Sequence, residues 1–419
     1  MKKLLVIAFF VLLVSTVYSG SMQAPSIGAR ATGMGGAFVA VADDPSSLFW
    51  NPAGLGLCKG TLYMSGTAFV APYSYYEVDG ADKEKSTTTA QMIPNLFLAH
   101  NFTDSFSMGL GYYVPFGLGQ RWKDDASLNY NSTRSEISLS NLQAGMSLKL
   151  TDDFLIGAGL AEGFAKMNTK SYSIVIPDGG GAPSAAYVKT EGEGRGTSGN
   201  IGFLWSPSSY NWTVGGVWRS ETNVKFKGEV DIGGAGFTTF DREISMDFTF
   251  PQTASIGVSY SGFERWLLSG QVDWVNWSRM DTITQKLDDP VTLWSPVPPP
   301  FGTAIITDEI EVSRDWKDRY IFRIGAEYEV TPEFALRGGY MWDPSPVPAE
   351  TLDPMMFDVS SNRYFVGASF PVWTMKIDVA YAYSQGIKRE AEDSENVPPT
   401  NGDYWGHSHM FEISTTYTF

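Results

Sequence analysis

The sequence predicts an all-β fold, a 14-stranded antiparallel transmembrane β-barrel with an N-terminal hatch that plugs the lumen. Three observations support this prediction. Several segments alternate between apolar and polar residues, short turns alternate with long polar loops, and no uninterrupted apolar stretch of about 18 residues follows the N-terminal region. The last observation excludes membrane-spanning helices. The predicted domains are a signal peptide (1–19), the hatch (20–58) and the barrel (59–419).

The N-terminus has the features of a secretory signal. Two lysines precede the apolar run from Leu4 to Val14, and Val17 and Ser19 have the spacing that a signal peptidase accepts. An apolar run of about 11 residues is too short to span a bilayer. We therefore expect cleavage near Ser19.

The segment before the first strand includes ADDPSSLFWNPAGL, residues 42–55, which has no clear helix or strand period. About 40 mature residues precede Thr61, and they cannot face lipid, because unpaired backbone is too costly there. A barrel of the predicted size is wide enough to hold a plug. A dangling tail has no reason to carry Leu48, Phe49 and Trp50, so we expect these residues to fold back into the lumen.

The clearest strand is the last one. Phe411, Ile413 and Tyr417 alternate with Glu412 and Ser414, so one face lies in lipid and the other in water. Six tight turns and seven long loops then make 14 strands. The predicted strands are 61–74, 91–103, 105–118, 134–150, 153–175, 196–206, 210–231, 241–261, 263–284, 308–330, 333–343, 361–370, 373–385 and 406–419.

Two of these strands contain an irregularity. In the fourth strand, Ile137 and Leu139 fall on one face and Leu142 on the other, which predicts a β-bulge near Asn141. In the third strand, an alternating run is followed by proline and glycine, which remove a hydrogen-bond donor or weaken pairing. We expect a local break there. The alternative is that Pro115 simply ends the strand.

Composition restricts the function. The net charge is −16, and the mature chain without its two signal lysines carries −18, which argues against nucleic acid as a partner. The chain contains 13 Trp, 20 Tyr and 26 Phe, which suits a protein with two interfacial aromatic girdles. Cys58 is the only cysteine, so no intramolecular disulfide can form. His407 and His409 are interpreted as a solvated strand end, and we expect no enzyme, no metal and no cofactor.

The sequence resembles the FadL-type family of outer-membrane transporters for long-chain fatty acids and other hydrophobic compounds. Residues 28–55, GARATGMGGAFVAVADDPSSLFWNPAGL, resemble the family's hatch, and 113–122 and 336–348 add two further matches. The terminal Phe419 is similar to the assembly signal of bacterial outer-membrane barrels. The resemblance implies an outer-membrane location and a gating role for Arg30, Asp43, Asp44, Asn51, Pro52 and Ala53.

The resemblance also implies a route for a hydrophobic or amphipathic small molecule. The molecule is captured by the extracellular loops, passes to a hydrophobic pocket against the hatch, and leaves sideways through a gap in the wall. An inward kink of the third strand makes that gap, here expected at Pro115, Phe116, Gly117 and Gly119. The expected ligand contacts are Met22, Ile27, Leu48, Phe49 and Trp50, with Arg121 and Lys123 for a carboxylate head group.

Several alternatives stay open. Arg121, Lys123 and Arg134 would equally suit the phosphates of outer-membrane lipopolysaccharide. We expect passive transport by a monomer, but fatty acids and aromatic hydrocarbons are equally compatible with the sequence. The other functional classes are a scaffold subunit of a secretion or envelope complex, an outer-membrane lipase or protease, and a water-filled porin.

Overall fold

A computed structural model describes residues 22–24, 27–78, 82–176, 183–234, 237–295, 303–396 and 398–419. The predicted signal peptide and its cleavage site lie outside these residues. In the described part of the chain, 20 strands form one sheet in which every pairing is antiparallel. None of the described helices is long and apolar enough to cross a membrane.

The helices are short. They are α1 (Ala29–Gly33), α2 (Ser47–Trp50), and two 3₁₀ helices at Pro52–Leu57 and Trp277–Arg279.

The strands are β1 (Thr61–Glu77), β2 (Glu84–Lys85), β3 (Gln91–Thr103), β4 (Phe106–Arg121), β5 (Arg134–Thr151), β6 (Phe154–Ile176), β7 (Ser184–Trp205), β8 (Trp212–Arg219), β9 (Thr222–Gly234), β10 (Phe237–Phe250), β11 (Thr253–Tyr260), β12 (Trp266–Val275), β13 (Thr282–Ser295), β14 (Thr303–Ser313), β15 (Arg319–Thr331), β16 (Phe334–Asp343), β17 (Ser361–Val372), β18 (Met375–Gly386), β19 (Arg389–Ala391) and β20 (Gly402–Thr418).

The sheet closes on itself. β1 pairs with β20 in continuous register, from Leu62 opposite Thr418 to Glu77 opposite Asp403. Closure removes the unpaired edges that an open sheet would present. The predicted all-β barrel is therefore correct, but the predicted number of 14 strands is wrong. The sheet contains 20 strands, of which 17 form the closed barrel.

The discrepancy in number arises where predicted strands are interrupted. The predicted strands 210–231, 241–261, 263–284 and 308–330 are each divided between two strands of the structure. Pro251, which has no N–H to donate, separates β10 from β11. A 3₁₀ helix separates β12 from β13, and Asp315, with a φ of 48°, lies between β14 and β15. Only the proline is a visible sequence signal.

The outer and inner faces of the wall differ in polarity. Leu110, Leu142 and Phe411 are among many large apolar side chains exposed on the outer face, as expected for contact with lipid. On β5 the inward side chains change from Ile137 and Leu139 near the extracellular end to polar residues lower down. The lumen is therefore apolar in its extracellular half and polar in its periplasmic half.

This change of polarity explains an incorrect prediction. Burial alternates along β5 from Ile137 to Leu148, and the bulge predicted near Asn141 is not on that strand. The register between β4 and β5 shifts between Tyr113, opposite Asn141, and Phe116, opposite Leu139. The extra residue therefore belongs to β4. The apparent phase slip in β5 arises because inward residues are apolar above this level and polar below it.

Candidate functional site

Residues 27–58, which we call the N-terminal segment, lie inside the ring. Their contacts reach strands around its circumference, including β5, β8, β15 and β18. Wall glycines make this approach possible. A Cβ at Gly157 would lie 2.3 Å from the amide nitrogen of Ala53, and one at Gly339 would lie 2.2 Å from that of Gly35. Any side chain there would collide with the segment's backbone.

Helix α1 begins against the last strand. Gly28 has a φ of 90°, and no local side chain caps the helix. The amide of Gly28 instead donates to Oε1 of Glu412 at 2.8 Å, and the amide of Ala29 donates to Oγ of Ser414 at 3.0 Å. Thr32 donates to the other oxygen of Glu412. A helix this short is not stable alone, so the wall holds it in place.

A buried ionic network joins the N-terminal segment to three strands. Arg30 donates to both carboxylate oxygens of Glu327 on β15, at 2.9 and 3.0 Å, and also pairs with Asp43. Glu327 in turn pairs with Arg337, whose Nη1 donates to Asp378 at 3.0 Å. Removing one partner of a buried pair leaves an uncompensated charge, which typically costs about 3–5 kcal/mol.

Asn51 connects two parts of the segment to the wall. Its fully buried Nδ2 donates to the carbonyls of Val39 at 2.9 Å and Phe203 at 2.8 Å, and its Oδ1 accepts from the amide of Ala53 at 3.2 Å. Pro52 is the first residue of the following 3₁₀ helix, a position where a missing N–H costs nothing. The carbonyl of Ala53 accepts from Ser147 at 2.7 Å.

Asp44 has a local role. Its Oδ1 accepts from the amide of Ser46 at 2.9 Å and from the Ser46 hydroxyl at 2.6 Å, which fixes the turn before α2. Burial raises the pKa of the Asp44 carboxyl, and the neighbouring Arg30 opposes that rise.

The apolar trio lies in the core of the N-terminal segment. Leu48 is fully buried against the glycines of β4 and β5, and the indole N–H of Trp50 donates to the carbonyl of Ile27 at 2.9 Å. Phe49 packs edge-on against Tyr113 of β4, with ring centroids 5.1 Å apart. Leu48, Phe49, Trp50 and Ile27 therefore share one cluster, whereas Met22 belongs to the apolar cluster of the extracellular half.

Strand β4, the third predicted strand, separates from β3 part of the way along but stays paired with β5 up to Arg121. Its pairing with β3 runs only from Thr103 opposite Phe106 to Leu96 opposite Tyr112, although β4 continues to Arg121. Every residue from Tyr113 to Gln120 is buried, including Pro115, Phe116, Gly117 and Gly119, in contrast to the alternating burial of the rest of the strand. Pro115 does not end the strand.

The freed edge of β4 pairs with the N-terminal residues. The amide of Ala24 donates to the carbonyl of Pro115 at 2.9 Å, and the amide of Gly117 donates to the carbonyl of Met22 at 2.7 Å. Gln23 and Phe116 form an antiparallel bridge between them. Residues 22–24 thus bind the upper part of β4 along the same edge that β3 binds along its lower part.

The apolar cluster of the extracellular half surrounds this contact. Phe116 packs against Phe250 and Trp277, with ring centroids 5.3 and 6.1 Å apart, and Trp277 packs against Trp316 at 5.0 Å. The connection 344–360 contributes further buried apolar side chains, among them Phe357. A cavity of about 40 Å³ lies between Phe357 and the wall.

The periplasmic side of the N-terminal segment is different. A cavity of about 590 Å³ there is lined by charged side chains that include Arg30, Asp43, Glu327 and Lys376. This cavity opens among the short turns near Thr331 and Trp373.

The predicted head-group cations are separate from these features. Arg121 and Arg134 both bind Glu136, with Arg121 Nε at 2.6 Å and Arg134 Nη2 at 2.8 Å, so the carboxylate partly neutralises them. Lys123 is exposed. The structure does not bring Arg121 or Lys123 together with the apolar trio, which packs in the other cluster.

Sequence reasoning missed the wall residues that hold the segment: Glu327, Arg337, Asp378, Gln271 and Glu412. Gln271 accepts the amides of Phe38 at 2.9 Å and Val39 at 2.8 Å. A signal for such residues exists, because a charged or amide side chain in the inward row of a membrane strand needs a polar partner. Which residue is that partner can be seen only in the folded structure.

Comparison with known proteins agrees with this architecture. A model of the outer membrane protein transport protein family (OmpP1/FadL/TodX) matches residues 11–419. The long-chain fatty acid transport protein of Escherichia coli O6:H1 is 21% identical, over 91% of this chain and 90% of that protein.

Solved structures share the fold. A FadL homologue of Pseudomonas aeruginosa superposes with a TM-score of 0.79 at 18% identity, over 95% of this chain and all (100%) of that chain. The Pseudomonas putida toluene transporter TodX superposes with a TM-score of 0.72 at 18% identity, over 96% of this chain and 100% of that chain. The family consists of outer-membrane transport proteins, which confirms the predicted location and the prediction that the protein is a transporter and not an enzyme. Because the family model covers residues 11–419, the chain belongs to the OmpP1/FadL/TodX family of outer-membrane transport proteins.

Proposed function

We propose that the chain is a monomeric passive channel that takes up hydrophobic compounds such as long-chain fatty acids. The substrate enters the apolar extracellular half of the lumen from the loops. It leaves sideways, between β3 and β4, into the bilayer. The N-terminal segment, with residues 22–24, is the gate. Passive movement suffices because the bilayer and later consumption of the substrate maintain the gradient.

The observation that carries this proposal is the displacement of β4. From Tyr113 to Gln120 every residue of β4 is buried, and the upper part of β3 is not paired to this stretch, which is held in the sheet by β5 alone. Among the described residues, Met22, Gln23 and Ala24 make the only backbone hydrogen bonds or bridge to β4 between Pro115 and Gly117 on that side. Releasing three residues would therefore uncover an opening.

The polarity of the lumen favours a lateral exit over a straight passage. The periplasmic side of the N-terminal segment is charged. It carries the ionic network of Arg30, Glu327 and Arg337 and borders the charged cavity. A hydrocarbon passing there would have to displace paired charges or enter water, and neither step is compensated. A sideways exit keeps it in apolar surroundings.

Substrate binding requires the apolar half to expand. Drug-sized ligands occupy pockets of roughly 300–1,000 Å³, whereas the cavity beside Phe357 measures about 40 Å³. The connection 344–360 and residues 22–24 both close this region, so we assign the expansion to them.

The roles of individual residues follow from their contacts. Arg30, Asp43, Asp44, Asn51, Pro52 and Ala53 hold the N-terminal segment in the lumen. Met22 and Phe116 line the apolar half at the displaced strand, while Leu48, Phe49 and Trp50 transmit movement of the segment to Tyr113. Arg121 and Lys123 attract an anionic head group at the loops.

Two of the relatives described above are named for a substrate, one for a long-chain fatty acid and the other for toluene. Either class of compound fits an apolar lumen.

A disulfide across the proposed gate tests the proposal. Gln23→Cys and Phe116→Cys, introduced with Cys58→Ala, place two thiols at an antiparallel bridge, where Cα atoms lie about 4.5–5.5 Å apart and a disulfide fits. Uptake of a fatty acid and of an aromatic hydrocarbon is measured in cells before and after reduction. We expect the oxidised protein to be inactive and reduction to restore uptake.

The matched control is a disulfide within the wall. Tyr381→Cys and Phe411→Cys lie opposite each other on β18 and β20, where no opening is proposed, and this disulfide should leave uptake unchanged. Full uptake by the oxidised gate variant would refute the lateral exit.

Native mass spectrometry of the delipidated protein, titrated with each class of ligand, identifies the class that binds. The same spectra show whether partner proteins are retained, as expected for a scaffold subunit.

A further inference from the structure

The outer face of the barrel carries a cluster of cations and rings at its extracellular rim. Tyr73 and Tyr75 of β1 alternate with buried inward residues and therefore face outward, next to Trp405 and His407 of β20. The ring of Tyr73 stacks on His407 at 4.9 Å, and that of Tyr75 stacks on Trp405 at 5.6 Å. We call these four residues, with Lys83 and Lys85, the rim patch.

Two lysines are positioned over these rings. Lys83 Nζ lies 4.0 Å from the centroid of Tyr75 and 5.2 Å from that of Trp405, and Lys85 Nζ lies 4.9 Å from that of Tyr73. Cation–π contacts hold both ammonium groups against the outer wall. Among the described residues, no carboxylate lies within 4.0 Å of either lysine. Neither lysine therefore belongs to an ion pair of the described residues, in a protein whose net charge is −16.

The height of the rim patch coincides with the head groups of the outer leaflet. About 12 residues of β1 separate Thr61 from Tyr73, which at about 3.3 Å per residue and a tilt of about 40° is roughly 30 Å along the barrel axis. The apolar band of such barrels is about 25 Å tall. Directly below, Phe69 and Phe411 are paired across β1 and β20 and are 43% and 46% exposed.

We propose that the rim patch binds one phosphorylated glycolipid of the outer leaflet. A phosphate lies between Lys83 and Lys85, whose ammonium groups supply charge-assisted hydrogen bonds. The sugar stacks on Tyr73, Tyr75 and Trp405, and the acyl chains lie on Phe69 and Phe411. The apolar surface beneath the cations distinguishes a lipid from free phosphate. This proposal does not depend on the route of transport.

Lipid binding to two double variants tests the proposal. The probe is bisphosphorylated lipid A, titrated against the delipidated full chain by native mass spectrometry, with the same lipid after phosphatase treatment as the second ligand. Lys83→Gln with Lys85→Gln should weaken binding of the phosphorylated lipid by about 20- to 30-fold. Lys225→Gln with Lys227→Gln, two exposed lysines on β9 that contact no ring of the described side chains, should leave it unchanged.

Three results would overturn the proposal. An equal loss in both variants would mean general attraction to anionic lipid, and equal affinity for the dephosphorylated lipid would remove the role of the phosphate. Displacement of the lipid by millimolar inorganic phosphate would identify a free-anion site instead. Fatty acid uptake by both variants should match that of the wild type.

Discussion

At the scale of single residues, the N-terminal segment depends on a few buried polar contacts. Asn51 is the clearest case, because one amide group binds two carbonyls, one in the segment and one in the wall. The sequence motif marked this residue, but not the carbonyls that it binds, which are 12 and 152 residues away.

Replacing Asn51 by alanine should release the segment without unfolding the barrel. The buried carbonyls of Val39 and Phe203 lose their donor, at a cost of about 1–3 kcal/mol each. We expect reduced uptake and an unchanged heat-dependent gel shift, which reports barrel folding. Asn223→Ala, at an exposed wall position, is the control. Normal uptake by a folded Asn51→Ala variant would refute the anchoring role.

Cys58 provides a built-in measure of segment release. It is the only cysteine of the chain and is 1% exposed, and burial raises the pKa of its thiol further from the reactive range. Glu327→Gln breaks the buried pair with Arg30, and alkylation of Cys58 by a maleimide should become at least about 100-fold faster.

The control for this measurement is Glu329→Gln, two residues along the same strand. Glu329 lines the periplasmic cavity, but no ion pair involving it is present in the described part of the chain. Equal alkylation of wild type and Glu327→Gln would show that the ionic network does not hold the segment.

At the scale of elements, the connection 344–360 acts as a cap on the apolar half. It lies outside the membrane-spanning strands and carries Asp358, whose pKa burial raises to about 7, with Arg319 opposing the rise. The folded-state pKa is thus above the unfolded value of about 4. The stability gained from the protonated carboxyl is fully present below about pH 4 and is lost as the pH rises through 7.

The cap should therefore loosen between pH 5 and pH 8. Hydrogen-exchange protection of residues 344–360, corrected for the intrinsic rise of amide exchange with pH, should fall over this interval in the wild type, whereas in Asp358→Asn it should stay constant. Asp125→Asn, at an exposed loop position, should behave as the wild type does. The same pH dependence in Asp358→Asn would assign the effect to another group.

The elements also show what the sequence could predict. Alternation in β20 and the proline and glycine cluster in β4 located a closing strand and an irregular one, because both signals are local. The interruptions that divide four predicted strands were missed, because three of the four contain no proline or glycine to mark a break. The apparent phase slip in β5 was wrongly assigned to a bulge on that strand. Alternation of apolar and polar residues distinguishes inward from outward faces only where the lumen has the same polarity along the whole strand.

At the scale of the whole molecule, the lumen is blocked by two unlike layers, the N-terminal segment and the apolar cluster above it. In planar bilayers we expect almost no small-ion conductance from the wild type. Removing residues 27–58 should produce stable ion-conducting openings, because the polar inner wall would then hydrate. A large wild-type conductance would favour the porin alternative.

The contact between Glu412 and Gly28 also determines the order of assembly. It joins residues 384 positions apart, and it brings Gly28 to β20, the last of the described strands. Closing so long a loop carries an entropic cost that only the finished ring recovers. Helix α1 therefore gains its anchor when β20 joins β1 and not before. A nascent barrel lacks this anchor until its seam closes, so docking of helix α1 and completion of the ring are coupled.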